Sequence, residues 1–187
     1  NLGAGVVIGD DNVFRESFTV HRATQSQPTR IGSHNFFMVN SHVGHDCIVG
    51  NRITLVNGAL LAGHAEVGDQ VILGGNAGLH QFCRMGRMSM LSGMVGVTQD
   101  VPPFCVVHYL KRVGSLNLIG LRRAGLREHV RPLQKAFDLL FRSNLPNGVA
   151  ADQIEAKLGQ DPLCMEFARF IRATKRGICS YAAQAED

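Results

Sequence analysis

The chain has 187 residues, of which 45% are hydrophobic and only 6% aromatic, with no tryptophan and a formal net charge of +4. No stretch is long and apolar enough to span a membrane, no secretory signal is visible, and the five cysteines show no paired spacing. These features argue against an integral membrane protein and against a disulfide-stabilised secreted domain. The cysteine usage fits a reducing, cytoplasmic compartment.

A repeat of six is already present at the start of the chain. The apolar position after Val20 is Ile31, nearly two repeats later instead of one. Residues 24–30 are therefore expected to form a loop at a corner. The chain starts in mid-repeat and not with Met, so we also expect coils to be missing before residue 1. The early repeat positions are Leu2, Ile8, Phe14 and Val20.

Residues 31–102 read as twelve consecutive hexapeptides. Each begins with an apolar residue, and the residue two positions before it is mostly small or apolar, as at Cys47 and Cys83. A period of six fits neither an α-helix nor a flat strand, but it fits a parallel β-helix with three hexapeptides, or about 18 residues, per coil. The apolar positions are Ile31, Phe37, Val43, Val49, Leu55, Leu61, Val67, Leu73, Leu79, Met85, Leu91 and Val97.

The hexapeptide repeat ends at Pro102, and the sequence after it is mainly of helical pattern. Residues 104–109 predict a last strand or an extended exit, and helices are predicted over 117–124, 127–142 and 150–158, with a turn at 145–148. Asp161 can cap a fourth helix with Pro162 at its first position, and residues 181–187 look like a frayed tail. We therefore predict a β-helix over residues 1–107 and a helical domain over 108–187.

Positive charge is concentrated in the helical part. Residues 1–107 carry 6 Lys/Arg and 7 Asp/Glu, whereas residues 108–187 carry 13 and 8. This half therefore favours an anionic partner, and an acidic protein fits better than nucleic acid because no exposed aromatics are interleaved with the charges. The basic residues are Arg122, Arg123, Arg127, Arg131, Lys135, Arg169, Arg172, Lys175 and Arg176.

Histidines recur at one corner of the predicted coils. His21, His45, His64 and His80 fall within two positions of one another in successive coils, and His42 lies shortly before His45. Coils stack about 4.8 Å apart, so these imidazoles can share one groove. A general base and a metal site both remain open, because histidine serves either role and Asp46 lies next to His45.

Six segments resemble one family along almost the whole chain. RESFTVHR, NSHVGHDCIVGN, LLAGHAEVGD, LHQFCRMG, GVTQDVPPF and NLIGLRRAG occur in the order found in the UDP-N-acetylglucosamine acyltransferases, which are left-handed parallel β-helix enzymes of lipid A biosynthesis. The resemblance implies a homotrimer with active sites between subunits. It implies that acyl carrier protein delivers a 3-hydroxyacyl thioester to the 3-hydroxyl of UDP-N-acetylglucosamine, with no metal or other cofactor.

The same resemblance assigns roles to individual residues. It implies that His45 is the general base, that the Gly63 N–H stabilises the oxyanion, and that Gly93 limits acyl length. A slot for the chain would run along Met88, Met90, Gly93 and Met94, since methionines suit a flexible alkyl chain. Substrate contacts are implied for His42, His64, His80 and Gln81, and nucleotide or phosphopantetheine contacts for Asn117 and Arg123.

Two positions depart from the family pattern. An acidic residue is replaced by Ile119, and the second of two paired arginines by Ala124. These departures put the acceptor in question. Three alternatives therefore stay open: a related acyltransferase with another amino-sugar acceptor, a zinc hydratase of the γ-class carbonic anhydrase kind, and an inactive trimeric scaffold.

Overall fold

A computed structural model describes residues 3–108 and 111–182 of the chain. Seventeen short strands precede four helices within these ranges. The β-helix strands are β1 (Val6–Ile8), β2 (Val13–Phe14), β3 (Thr19–Val20), β4 (Thr29–Ile31), β5 (Phe36–Phe37), β6 (His42–Val43), β7 (Ile48–Val49), β8 (Thr54–Leu55), β9 (Leu60–Leu61), β10 (Glu66–Val67), β11 (Ile72–Leu73), β12 (Gly78–Leu79), β13 (Arg84–Met85), β14 (Met90–Leu91) and β15 (Gly96–Val97).

These strands form three parallel sheets, one on each side of a prism. Sheet A has the order β1-β4-β7-β10-β13, sheet B contains β2, β5, β8, β11 and β14, and sheet C has the order β15-β12-β9-β6-β3. From β4 to β12 each strand pairs with the strand three hexapeptides later, as Val49 does with Val67. The predicted left-handed parallel β-helix with a C-terminal helical region is confirmed.

The first coil is longer than the others. Val6 pairs with Thr29 and Thr19 pairs with His42, so both pairs span more chain than three hexapeptides. The extra residues lie between β3 and β4, where the sequence predicted a corner loop. This loop reaches the functional site described below.

Three corners join the sheets, and we name them by the sheets they connect. The AB corner contains residues 32–35, 50–53, 68–71 and 86–89, the BC corner 38–41, 56–59, 74–77 and 92–95, and the CA corner 44–47, 62–65, 80–83 and 98–100. At each corner, equivalent residues of successive coils take left-handed backbone angles; at the CA corner Asp46, His64 and Phe82 have φ of 59°, 60° and 62°. Left-handed residues turn the chain sharply, so equivalent side chains stack along the corner.

Inward repeat positions fill the prism. Phe37, Leu55, Leu73 and Leu91 are completely buried, as are small residues such as Cys47. This matches the predicted alternation of one large and one small residue per side. Met88 is also buried, so it cannot line an open slot as expected for the acyl chain. Its equivalents at the AB corner, His34 and Arg52, are exposed. Met88 is therefore covered by the chain that follows the prism, where Asn117 Nδ2 donates to Met88 O.

Beyond the prism the chain adds a hairpin and four helices. The elements are β16 (Cys105–His108), β17 (Arg112–Leu116), α1 (Leu118–Arg123), a 3-10 turn (Arg127–His129), α2 (Val130–Phe141), α3 (Asn147–Leu158) and α4 (Pro162–Arg172). Asp161 caps α4, with Pro162 in its first turn, as predicted. Asn117, predicted as the first helical residue, is instead the N-cap of α1. Within the described residues, none of the helices has the length and apolar character that a membrane crossing requires.

Two details of this part differ from the sequence prediction. Strand β17 was missed: it pairs antiparallel with β16, because Val113 and Leu116 are buried against the prism end. Helix α3 begins at Asn147, inside the predicted turn, because Pro146 precedes it in an extended conformation that starts a helix well. Residues 183–187 of the predicted tail lie outside the described residues, and the domain boundary at residue 107 stays a prediction.

Candidate active site

The CA corner brings together the histidines that the sequence predicted to act in catalysis or metal binding. Strands β6 and β9 end immediately before this corner, and their backbone bonds to the next coil fix its position: Gly44 N donates to Leu61 O at 2.8 Å and His64 N donates to His45 O at 2.9 Å. The His45 and His64 rings meet edge to face, with centroids 5.2 Å apart. The predicted histidine column is therefore real for these two coils.

His45 is held by the carboxylate that follows it in sequence. Its Nδ1 lies 2.7 Å from Asp46 Oδ2, and its side chain is 39% exposed. Because a carboxylate can only accept, the hydrogen of this bond belongs to Nδ1. Nε2 is then the unprotonated nitrogen of the neutral ring, so it can take a proton from a substrate.

Asp46 is buried and saturated with donors. Its side chain is 6% exposed and accepts hydrogen bonds from Thr24 N, from Thr24 Oγ1 at 2.6 Å, from Gln25 N at 3.0 Å and from His45. Burial alone would raise the pKa of Asp46, but the hydrogen bonds from Thr24, His45 and the Gln25 amide outweigh burial, and the pKa of the carboxyl falls well below its usual value. Asp46 is therefore ionised near neutral pH.

His64 lies between Asp46 and an aromatic ring. Its Nε2 is 3.7 Å from Asp46 Oδ2, and its ring stacks on Phe82 with centroids 4.5 Å apart and planes 10° from parallel. Phe82 is 52% exposed. Phe82 was not among the predicted site residues, although its spacing of three hexapeptides from His64 was a signal that it occupies the same corner one coil later.

Gly63 lies directly against the His45 ring. A Cβ at this position would be 2.6 Å from both Cε1 and Nε2 of His45, so no other residue fits without moving the ring. Gly63 is buried, yet among the hydrogen bonds of the described residues none has its N–H as donor. Buried backbone N–H groups are nearly always paired, so this one is available to a ligand atom beside His45.

His42 projects from the outer face of sheet C, next to the corner. Its Nδ1 is 2.8 Å from Thr19 Oγ1, and its ring meets His21 edge to face at 4.5 Å. Burial lowers the pKa of His42, and the neighbouring His21 lowers it further. His42 is therefore neutral near pH 7 and can donate or accept one hydrogen bond to a substrate.

The next coil contributes two exposed polar groups to the same corner. His80 and Gln81 are both exposed, and His80 Nδ1 lies 3.2 Å from Gln81 O. Phe82, rather than either of them, contacts His64. Both side chains face solvent at the edge of the corner, where a ligand held at His45 and His64 would extend.

Three of the residues with implied roles lie on other parts of the prism. Gly93 is at the BC corner, and a Cβ there would meet only Gly75, at 3.4 Å. Asn117 is tied to the AB corner: its Nδ2 donates to Met88 O at 2.9 Å while its Oδ1 accepts from Gly120 N. Arg123 is the last residue of α1, which Asn117 caps. Each side of the prism spans roughly 15–20 Å at about 3.3 Å per residue. Within one chain, Asn117 and the adjoining α1 therefore do not reach His45.

The donor set at the CA corner also suits a metal ion. One ligand atom from each of His45, Asp46 and His64 can be chosen so that all three lie within 4.8 Å of one another. Two histidines and a carboxylate are a set that zinc accepts at catalytic sites. The predicted absence of a metal stays a prediction.

Comparison with known proteins gives consistent matches. Residues 100–179 match the family model described as "Udp N-acetylglucosamine O-acyltransferase; Domain 2". The chain is 46% identical over 177 residues to the acyl-[acyl-carrier-protein]--UDP-N-acetylglucosamine O-acyltransferase of Anaeromyxobacter sp. (strain Fw109-5), and the match covers 92% of this chain and 69% of that protein.

Solved structures agree over nearly the full chain. The Francisella novicida UDP-N-acetylglucosamine acyltransferase superposes with a TM-score of 0.90 at 34% identity, covering 96% of this chain and 67% of the other. The Campylobacter jejuni UDP-N-acetylglucosamine acyltransferase gives 0.87 at 37% identity, covering 96% and 71%. Fold and sequence therefore match over the same residues.

Proposed function

Because the chain belongs to the UDP-N-acetylglucosamine O-acyltransferase family, we propose that it transfers a 3-hydroxyacyl chain from acyl carrier protein to the 3-hydroxyl of UDP-N-acetylglucosamine. This is the first step of lipid A biosynthesis. The acyl thioester of the carrier protein is a co-substrate, not a resident cofactor.

The observation that carries the mechanism is the pairing of His45 with ionised Asp46 beside the Gly63 amide. His45 Nε2 removes the proton from the sugar hydroxyl as its oxygen attacks the thioester carbonyl carbon. The carbonyl oxygen becomes negatively charged and accepts a hydrogen bond from Gly63 N–H. Collapse of this intermediate expels the carrier thiolate, which takes the proton back from His45.

Asp46 makes the base effective without exchanging protons itself. Its carboxylate holds His45 in the Nδ1–H tautomer and stabilises the imidazolium that forms during attack. Ser41 and Cys47 lie near the histidines in sequence, but both are buried. The Ser41 hydroxyl donates to Met38 O, and burial raises the pKa of the Cys47 thiol to about 11, so neither is an activated nucleophile. This favours direct transfer over an acyl-enzyme.

The remaining histidines and Gln81 position the substrates. His64, fixed by Phe82, and His42, kept neutral by its surroundings, can each hydrogen-bond a sugar hydroxyl or carbonyl. His80 and Gln81 extend this polar strip by one coil.

The outer face of sheet C offers a path for the acyl chain. Leu60, Gly78 and Gly96 make this face smooth and partly apolar, and a Cβ on either glycine would meet open space. The face leads from the base at the CA corner towards Gly93 at the BC corner, as a channel for the acyl chain requires.

A homotrimer would complete the site. His45 and its neighbours occupy the CA corner, whereas Asn117 is tied to the AB corner and caps α1, of which Arg123 is the last residue. A rotational trimer brings different surfaces of neighbouring copies together, so one subunit's α1 can cover the next subunit's CA corner. Light scattering of the protein in solution is the test, and a stable monomer that retained full activity would exclude a shared site.

Carrier protein would dock on the basic helical part. Arg122, Arg127 and Arg131 line one open cavity of about 420 Å³ on its surface. Three guanidinium groups without acidic residues among the lining attract the carboxylates of an acidic partner. This patch provides an encounter surface rather than a reaction site.

Two second candidates rest on specific observations. Ile119, which replaces the family's acidic residue, is 63% exposed on α1, so an acceptor with a different group on the sugar or base would meet an apolar contact there. The three metal-compatible ligands His45, Asp46 and His64 keep a zinc hydratase as the other candidate.

The deciding experiment combines activity with metal analysis. The protein is incubated with acyl carrier protein thioester and UDP-N-acetylglucosamine, and the product is read by mass. His45→Ala should lower turnover by about 10²–10⁴-fold while retaining fold and substrate binding, as expected for loss of a general base. Activity that vanished with a chelator and returned with zinc would replace the base by a metal, and exclusive use of a different amino sugar would replace the acceptor.

A further inference from the structure

The CA corner continues beyond the histidines to a charged cap. Asp46, His64, Phe82 and Asp100 take the same place in four successive coils, so Asp100 lies two coils beyond His64. Here the C-terminal segment after α4 returns to the prism, and Ile178 forms a parallel bridge with Asp100. The top of the histidine column is thus closed by residues from the far end of the chain.

Asp100 builds this cap. It is completely buried, and its Oδ2 accepts hydrogen bonds from Thr174 Oγ1 at 2.8 Å and from Arg84 Nε at 3.1 Å. Its backbone N–H donates to Gly177 O at 2.8 Å. Residues 174 and 177 are therefore tied to one buried residue, which makes the bend between them rigid. The tip of this bend consists of Lys175 and Arg176, both exposed.

A groove connects the tip of this bend to His64 and to Asp46, the carboxylate that holds His45. It has a volume of about 550 Å³, and His64 and Asp46 line it together with Lys175 and Arg176. We name it the basic groove. The remaining lining residues are Ile48, Glu66, Phe82, Arg84, Asp100 and Ala173.

Two of the three cationic side chains in the basic groove, Lys175 and Arg176, are available to bind a ligand. Arg84 is neutralised by Asp100, to which it forms an ion pair at 3.1 Å. Lys175 and Arg176 form no ion pair with any described residue, and Arg176 reaches the Cys83 thiol at the same corner. Two further carboxylates line the groove: Asp46, whose oxygens already accept hydrogen bonds from Thr24, Gln25 and His45, and Glu66, which is exposed. Lys175 and Arg176 at one end of the groove, with His64 at the other, suit a ligand whose anionic group is joined to its reacting end by a flexible chain.

We propose that the basic groove binds the phosphodiester at the end of the carrier protein's pantetheine arm, with Lys175 and Arg176 as its ligands. This inference rests on the proposed acyl transfer. Asp100 lies two coils from His64 and three from Asp46, which is roughly 10–15 Å at about 4.8 Å per coil. The acceptor's own diphosphate is only one sugar ring away from the reacting 3-hydroxyl and cannot extend so far. The pantetheine arm is a long chain between thioester and phosphate, and it can follow the groove.

The test uses steady-state kinetics with both substrates varied. Lys175→Ala and Arg176→Ala should each raise KM for acyl carrier protein by roughly three- to tenfold, as expected for losing one hydrogen-bonded ion pair partly screened by solvent. KM for UDP-N-acetylglucosamine and kcat should stay at parent values. Glu66→Gln removes the opposing charge and should lower KM for acyl carrier protein. Lys157→Ala on α3, which removes the same charge far from the groove, is the matched control.

Small acyl donors without the carrier protein distinguish binding of the phosphate from binding of the carrier's acidic surface. The parent should use acyl-4′-phosphopantetheine with a lower KM than acyl-pantetheine, which lacks the phosphate, and Lys175→Ala should abolish this difference. Equal use of the two small donors by the parent would overturn the proposal, because the cations would then contact only the carrier's acidic surface. A rise in KM for the sugar nucleotide in Lys175→Ala would overturn it too. A parent protein that forms no acylated sugar with any donor would instead contradict the proposed function.

Discussion

Replacing Gly63 with alanine tests the geometry of the base most directly. Gly63 does not have a left-handed φ, so alanine meets no backbone strain there. The added Cβ would, however, lie 2.6 Å from Cε1 and Nε2 of His45. Non-bonded carbon atoms prefer about 3.5–4.0 Å, so the ring must move by about 1 Å. The 2.7 Å bond from His45 to Asp46 cannot keep both its length and its direction through such a shift.

The expected loss is large for one methyl group. A misplacement of about 1 Å can cost about 10²-fold in rate, so kcat of Gly63→Ala should fall by about 10²-fold. Stability should fall by about 1–3 kcal/mol, the usual cost of overpacking. Single-turnover rates with saturating substrates measure the first effect, and the NMR signal of the His45 Nδ1–H reports directly whether the bond to Asp46 persists.

A control glycine and a clear contrary result complete the design. Gly5→Ala adds the same methyl in the first coil, where no atom lies within 4 Å of the new Cβ, and it should leave kcat unchanged. If Gly63→Ala kept the parent kcat, the His45 ring position would not matter and the base assignment would be wrong. If kcat fell while the Nδ1–H signal was unchanged, the loss would lie in the oxyanion contact and not in the base.

Three further predictions concern neighbouring groups. Gly93→Met should shorten the preferred acyl chain, because its Cβ meets nothing closer than a backbone oxygen at 3.4 Å and the longer side chain would fill the channel; each excluded CH₂ forfeits about 0.8 kcal/mol, and unchanged selectivity in a mixed-donor competition would place the length limit elsewhere. His21→Gln removes a charge that lowers the pKa of His42, so an NMR titration should find that pKa higher; no movement would mean that burial alone sets it. Phe82→Leu should raise KM for the sugar nucleotide by roughly two- to tenfold, since an aromatic pair is worth about 0.5–1.5 kcal/mol, and Phe82→Tyr should restore it; loss of kcat alone would argue against a role in fixing His64.

The prism was predictable because its repeat is enforced at every coil. An inward position accepts only an apolar side chain of limited size, as Leu55 and Leu73 illustrate, so the period of six survives in the sequence. Strand β17 had no such signal. It includes Arg112, Gly114 and Ser115, and it is a strand because it pairs with β16 and buries Val113. Tertiary pairing, not local propensity, decides such a segment.

The site was predictable in part, for a related reason. The period of three hexapeptides places His45 and His64 in adjacent coils, and the structure confirms their contact. Spacing does not show what later parts of the chain cover, however, and Met88 proved to be buried where Asn117 packs on the AB corner. Asn117 illustrates a second limit: its amide is engaged as a helix cap and by Met88 O, leaving it one hydrogen and one lone pair for a ligand.

The insertion in the first coil explains why the base belongs to the second coil. Later coils offer equivalent positions at the CA corner, but Asp46 lies beside the loop inserted in the first coil, and that loop supplies the donors Thr24 N, Thr24 Oγ1 and Gln25 N. These bonds keep a buried carboxylate ionised, and the ionised carboxylate fixes the tautomer of His45. One coil later the equivalent residue is His64, which has no loop to hold a charge. A single insertion thus converts one repeat of a uniform scaffold into a site for proton transfer.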